Sequence, residues 1–539
     1  MLHKNYSANI QRTFKAIDWK LLAFLILFLD VKLVLKLAAI VLIYLFRFNF
    51  QFGFRTQHSR LPLFYPIIIF IGLYNWVITF GVSDVNYNMA CITGICFWIL
   101  CLLAMHQVKL LVEKKPVPII HQTILVFFLL NAMVSLTVYL IIVFKTGAIN
   151  PYLYQGEYQK YFIGTGDYIK GISFDTSNTN SVLNAFGVIY FLSKKNSLMM
   201  VLCMAILLLT GSNITNLLLG VSLLFIFIFL SDRDKKSLII ICFLLLIVFL
   251  AKVSPQNNQY VTNILEKSLG TQKKHTIQSS SVPVWLRPNS MLSQDERKQK
   301  IAILYLDSLS TLQKKIETKP VAQAAAYYAR PAIPIPDINT EPYQYKSFVT
   351  PVKKNMMAFV TTYANELPFS SGKIKPSTLP GKIIAWEQTI HYFKQHPFLL
   401  ITGAGIGNFS SKLAFKTTGL RIAGGYPQKY IYLNDAFIKN HLDLYLYFFT
   451  QDDGLHSIAN NPNSVYDQLV SEYGLAGLAA FFIFYTGYFI KCKKHLTYGI
   501  SLLLLLSALF FVDYWFEQLS VVVFFELLMF LNIKESEIK

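Results

Sequence analysis

Charge is what this sequence has little of. Only 14% of its 539 residues are Asp, Glu, Lys or Arg, against about 25% in a soluble globular chain, so a soluble enzyme is excluded. Acidic residues are the scarcer sign, 29 against 49 Lys and Arg. Cysteine is scarce too. Five of the six (Cys91, Cys96, Cys101, Cys203, Cys242) fall in apolar segments and Cys492 lies among lysines, with neither a disulfide framework nor a metal-ligand spacing. Strand-like alternation is missing from the apolar runs, which excludes a β-barrel. No small-residue cleavage site follows the first apolar segment, so no removable signal peptide is expected.

What is abundant is apolar sequence: 54% of residues are hydrophobic and the mean hydropathy is +0.44. Crossing the hydrocarbon core takes about 20 such residues in a helix. Candidate spans run near 14–30, 32–47, 62–82, 88–106, 121–144, 181–193, 197–212, 214–231, 236–252, 464–490, 496–512 and 516–532. The expected fold class is an all-α polytopic membrane protein of about twelve transmembrane helices. At the start, Asp30, Lys32 and Lys36 interrupt the apolar run, and two short helices suit the charge pattern better than one long one.

Alternate connections carry the basic residues: Lys4, Arg12 and Lys15; Arg47 to Arg60; Lys109 to Lys115; Lys194 and Lys195; Arg233 to Lys236; Lys491 to Lys494. The positive-inside rule puts these connections and both termini in the cytoplasm. The formal charge of +20 is then read as orientation and contact with anionic headgroups, and no nucleic-acid partner is expected. Three regions follow: an N-terminal bundle of nine spans (1–252), a large outer loop (253–463) and three closing spans (464–539). Within the loop, 253–380 reads as a variable insert. It has a capping box at Ser293 and Glu296, an amphipathic helix over about 294–318, and a Pro-rich linker from Pro331 to Pro342. Residues 381–463 carry the motifs.

Four polar patches, far apart in the chain, fall on the outer side in this topology. They are Lys170–Ser181; Thr210–Asn213, a tight turn; Gly381–Trp386 with His396-Pro397 and Gly403-Ala-Gly-Ile-Gly-Asn-Phe409; and His456 through Gly477. A Gly-x-Gly-x-Gly run without a preceding strand or Walker lysine is a weak nucleotide signal. Glu472 lies two and a half turns into the tenth span, where a carboxylate is a functional candidate or the partner of a neighbouring helix. His391 and His396 read as structural, and Asp452-Asp453 as an exposed acidic turn.

The third and fourth patches together resemble the bacterial O-antigen ligase and O-antigen polymerase superfamily. The likeness rests on Lys382 followed four positions on by Trp386, the run His396 to Phe409, and Asn463-Ser464, nine residues, then Gly474-x-x-Gly477. The topology fits as well; the block 260–375 does not enter the resemblance. It implies a metal-independent enzyme of the bacterial inner membrane, without cofactor. That enzyme transfers glycan from an undecaprenyl-pyrophosphate-linked donor to a hydroxyl of a glycan, lipid A or protein acceptor, on the periplasmic side. A flippase and a chain-length regulator are the implied partners.

The chain departs from the family's residues at four positions. Family arginines correspond here to Lys170, Asn213 and Lys382, and the family histidine corresponds to Asn463, an amide that takes no proton near neutral pH. The expected site therefore has Lys170, Lys382 and Arg421 on the pyrophosphate, and Asn180, Asn213 and Asn463 on sugar or phosphate oxygens. Glu472 lies nearby, and His456 is the replacement base. Polymerase is favoured over ligase and protein O-glycosyltransferase by the enlarged loop. A transporter or flippase, and a relative that only binds lipid-linked glycan, are the other classes open to this sequence.

Overall fold

In the computed structural model the described residues are 17–30, 32–47, 61–80, 84–153, 163–254, 300, 351–375, 377, 379–450, 458–492 and 496–538. The chain divides into two units, one of residues 1–154, 160–262 and 349–539 and one of 155–159 and 263–348. Of the second only residue 300 is described. The capping box, the 294–318 helix and the Pro-rich linker all lie outside the described residues.

Every regular element among the described residues is helical. The first half contains α1 (Trp19–Leu29), α2 (Leu33–Arg47), α3 (Phe64–Asn75), α4 (Val85–Lys114), α5 (Val117–Thr146), α6 (Ser177–Ser193), α7 (Ser197–Leu209), α8 (Asn213–Phe229) and α9 (Arg233–Val248). After the insert come α10 (Pro351–Thr362), α11 (Gly381–Gln395), α12 (Leu399–Thr402), α13 (Lys412–Thr417), α14 (Asp443–Thr450), α15 (Val465–Ala480), α16 (Gly499–Leu509), α17 (Trp515–Gln518) and α18 (Ser520–Ile538). A helix occupies each of the twelve apolar segments. Four of them, over Val85–Lys114, Val117–Thr146, Arg233–Val253 and Val465–Lys491, are long and apolar enough to cross a membrane. The helix expected over 181–193 begins four residues earlier, at Ser177, capped by Thr176 Oγ1 accepting from Thr179 N–H.

The break between α1 and α2 shows what the early charges do. Asp18 caps α1 by accepting from the backbone of Lys20 and Leu21. Lys36 then turns inward: its Nζ donates to Phe28 O at 2.7 Å and to Ser520 Oγ at 3.0 Å. It satisfies a carbonyl of the last turn of α1, where an intrahelical partner is missing. The two short helices expected there are present and pack against each other.

Two helices form the centre of the bundle. From Thr179 to Leu192 α6 is buried on every side, and so is α18 from Ser520 to Asn532. A helix that is apolar all round belongs in an interior. Lys194, at the end of α6, pairs with Glu535 of α18 (2.5 Å), and at the opposite end Thr179 Oγ1 donates to Gln518 Oε1 (3.3 Å) of α17, which leads into α18. With α4, α5, α16 and α1 packed around α18, one end of this core gathers the polar patches and the other gathers lysines.

Candidate functional site

The two glycine motifs meet each other. Gly403, Gly405 and Gly407 all have positive φ (86°, 87° and 73°), as does Gly474 (67°) inside α15. The Gly403–Gly405 segment crosses the bend this creates: Ala404 N–H donates to Ser471 O (2.7 Å) and Gly405 N–H to Glu472 O (3.0 Å). A Cβ on Gly403 would stand 2.3 Å from the Glu472 carbonyl carbon, and one on Gly474 would stand 2.2 Å from Ile401 O. Both positions therefore need glycine for close backbone approach as well as for φ. Between them Ile406 inserts against Gly72 and Gly94 of α3 and α4. These glycines cradle backbone; phosphate binding is not what their geometry requires.

That crossing sets Lys382. Its Nζ donates to Asn461 Oδ1 (2.9 Å), to Val512 O (2.9 Å) and to Asn463 O. Three acceptors match the three donors of an ammonium, so the lysine clamps the 461–463 segment to the turn after α16. Burial pushes its pKa down to about 7, against the opposing pull of Asp513 and Asp467. Asn463 Nδ2 donates to Asp513 Oδ1 at 3.4 Å, while its buried Oδ1 has no hydrogen-bond partner among the described residues.

From Asp513 a polar chain runs across the end of the bundle. Gln518 Nε2 donates to Asp513 Oδ2 (2.6 Å), and Thr179 Oγ1 reaches both Gln518 Oε1 (3.3 Å) and Asp175 Oδ2 (3.0 Å). Glu517 accepts from Gln468 Nε2 and keeps Oε2 unpartnered and buried. Facing these carboxylates are Lys412 and Lys416, four residues apart on α13. Burial and the neighbouring Lys412 lower the Lys416 pKa, and Glu517 and Asp175 oppose the shift. The second patch joins through Ser212 Oγ donating to Asn178 Oδ1 (3.1 Å) and the Ser181–Thr215 hydroxyl pair (2.9 Å). All four patches thus converge, with Asp513, Glu517 and Gln518 as the bridge.

The expected residues fare differently. Asn180 is fully buried and saturated, donating to Ser135 Oγ and Ile169 O and accepting from Asn131 and Asn184, so it ties α6 to α5. Asn213 opens α8 at the Gly211 turn. Glu472 is fully buried and accepts from Phe409 N–H at 3.3 Å, holding the glycine loop. Lys170 and Arg421 are exposed, and Arg421 has a φ of 59°. The Arg421 segment packs with Met356 and Leu446 in a separate apolar cluster, so among the described residues the three expected cations share no partner. His456 and Asp452-Asp453 lie outside the described residues. His391 pairs with Gln395 on an exposed helix face.

Sequence reasoning missed a dyad. His441 Nε2 and Asp467 Oδ2 are 2.5 Å apart, both fully buried, and Thr389 Oγ1 donates to Asp467 Oδ1 at 2.8 Å. Phe409 closes over the imidazole, ring centroids 4.7 Å apart. Lys412 and Lys416 were missed as well, although their i,i+4 spacing directly after the glycine run was the available signal. Set against known proteins, the chain matches no family model, no curated protein and no solved structure.

Proposed function

We propose that this protein is a membrane glycosyltransferase of the O-antigen polymerase and ligase type. It transfers glycan from an undecaprenyl-pyrophosphate-linked donor to an acceptor hydroxyl on the periplasmic face of the bacterial inner membrane, extending polysaccharide. The observation that carries this reading is the meeting of the two glycine motifs, which sets Lys382 and Asn463 beside a partly buried network of Asp175, Asp513, Glu517, Lys412 and Lys416. The twelve-span topology, with both termini cytoplasmic, belongs to the same proposal.

In this reading Lys412 and Lys416 carry the charge expected of the pyrophosphate site, with exposed Lys170 and Arg421 adding cations as the donor docks. Charge placed where the leaving group develops is the main catalytic demand of such a transfer. Lys382 positions the Asn463 segment. The unpartnered oxygens Asn463 Oδ1 and Glu517 Oε2 suit the hydroxyl donors of a sugar, since a buried acceptor without a partner destabilises the empty state. His456 remains the candidate base, and Asp513 and Asp175 are the carboxylates of the Lys382 end of the bundle. The absence of a recognisable repeat between halves weighs against a transporter.

Turnover of a synthetic lipid-linked oligosaccharide by the purified full-length protein tests the proposal. Lengthened glycan, lost in Lys416→Gln, is the expected result. Passage of the intact donor across a vesicle membrane without bond cleavage would replace this reading with transport.

A further inference from the structure

A cavity of about 630 Å³ opens at the end of the central helices opposite Lys382. Its walls are the C-terminal ends of α6, α8 and α18 and the N-terminal ends of α9 and α16. Leu192, Ile226 and Leu230 form its apolar side; Lys194, Lys195 and Lys235 its rim. Among the charged residues lining it, Lys194, Lys195 and Lys235 outnumber Glu535. Lys194 is tied to Glu535. Lys195 pairs with Asp232 (3.1 Å) and Asp234 (2.9 Å), all three exposed, and exposed pairs of this kind hold weakly enough for another anion to compete.

The second observation lies deeper. Ser501, in the first turn of α16, lines the cavity, is fully buried, and its Oγ has no hydrogen-bond partner among the described residues. Tyr498, in the cap position, offers no side-chain cap; Asn532 Oδ1 accepts from Gly499 N–H at 2.9 Å, the first N–H of this helix. A buried hydroxyl that meets no acceptor among the described residues, in the partly positive first turn of a helix beside a lysine-rimmed cavity, is suited to meet an acceptor anion. Just beyond the cavity, Ile228 and Phe229 of α8 are 58% and 68% exposed, an apolar surface suited to acyl chains.

We propose that this cavity binds the phosphate headgroup of an anionic phospholipid, with Ser501 Oγ and Lys235 donating to phosphate oxygens and the acyl chains leaving over α8. Basic cavities between membrane helices recognise acidic lipids through this combination of cation and donor. The site is independent of the Lys382 cluster and of the chemistry proposed there.

The test uses the full-length protein in neutral detergent, with dioleoylphosphatidylglycerol, dioleoylphosphatidylcholine or millimolar inorganic phosphate added. Retained lipid is counted by native mass spectrometry and Tm is read in parallel. Phosphatidylglycerol should be retained and raise Tm, and phosphatidylcholine should do neither. Lys235→Gln should weaken retention about tenfold. Ser501→Ala should raise the lipid-free Tm, because it removes a buried unpartnered hydroxyl, yet shrink the lipid-induced shift. Equal retention of phosphatidylglycerol by both variants, or of phosphatidylcholine by the unsubstituted protein, overturns the proposal. A full shift with inorganic phosphate alone overturns the lipid assignment.

Discussion

His441 Nε2 lies 2.5 Å from Asp467 Oδ2 with neither side chain reached by solvent, and this pair joins the segment before α14 to the first turn of α15. Removing one member strands the other in a low-dielectric site. His441→Leu and Asp467→Leu should each destabilise the protein by about 3–5 kcal/mol, and the double substitution by less than their sum. Thermal unfolding of the four proteins in detergent closes the cycle; additive losses would mean the two groups do not depend on each other.

Glycine substitution separates the crossing from ordinary loop positions. Gly474→Ala forces a Cβ into Ile401 O at positive φ, and strain of this kind costs on the order of 1–3 kcal/mol before the clash is counted. Gly425→Ala meets nothing within 4 Å and should be neutral. Folded yield in membranes and Tm should fall for the first and hold for the second.

Lys382 gives stability a pH dependence with a definite sign. Its pKa falls from the ordinary 10.5 to about 7 in the folded protein. Between those values the unfolded chain binds a proton that the native state has released, so unfolding becomes harder as pH rises through this window. The Tm of the unsubstituted protein relative to Lys382→Met should therefore climb from pH 6.5 to pH 8.5. A difference flat in pH would show that the lysine keeps its ordinary pKa.

Lys412 and Lys416 should matter more to turnover than to folding. Neutralising either with Gln removes charge facing Glu517 and Asp175, so transfer should fall by roughly 10²-fold or more while the level of protein in the membrane is unchanged. Arg421→Ala and Lys170→Ala, at exposed positions, should reduce donor affinity more than the rate. Equal activity in Lys412→Gln and Lys416→Gln would remove α13 from the site.

Much of the helical layout could be read from the sequence because it depends on local composition. Apolar runs of the right length form helices wherever backbone groups must be satisfied without water, and Asp18, Thr176 and Ser464 mark helix starts by capping. The glycine motifs were legible as motifs, but not their purpose. That purpose is a backbone crossing between residues about seventy apart, and no local pattern encodes which two glycines touch. Nothing local to His441 points to Asp467 as its partner, for the same reason.

The sequence by itself determined that this is a helical chain with membrane-length apolar segments and polar patches at their ends, because hydropathy and capping act within a few residues. Only the tertiary structure decided which polar groups are already satisfied, as Asn180 and Lys382 are, and which oxygens remain unpartnered, as in Asn463, Glu517 and Ser501. Hydrogen-bond saturation is set by neighbours brought from elsewhere in the chain, and a site is the place where that saturation is left incomplete.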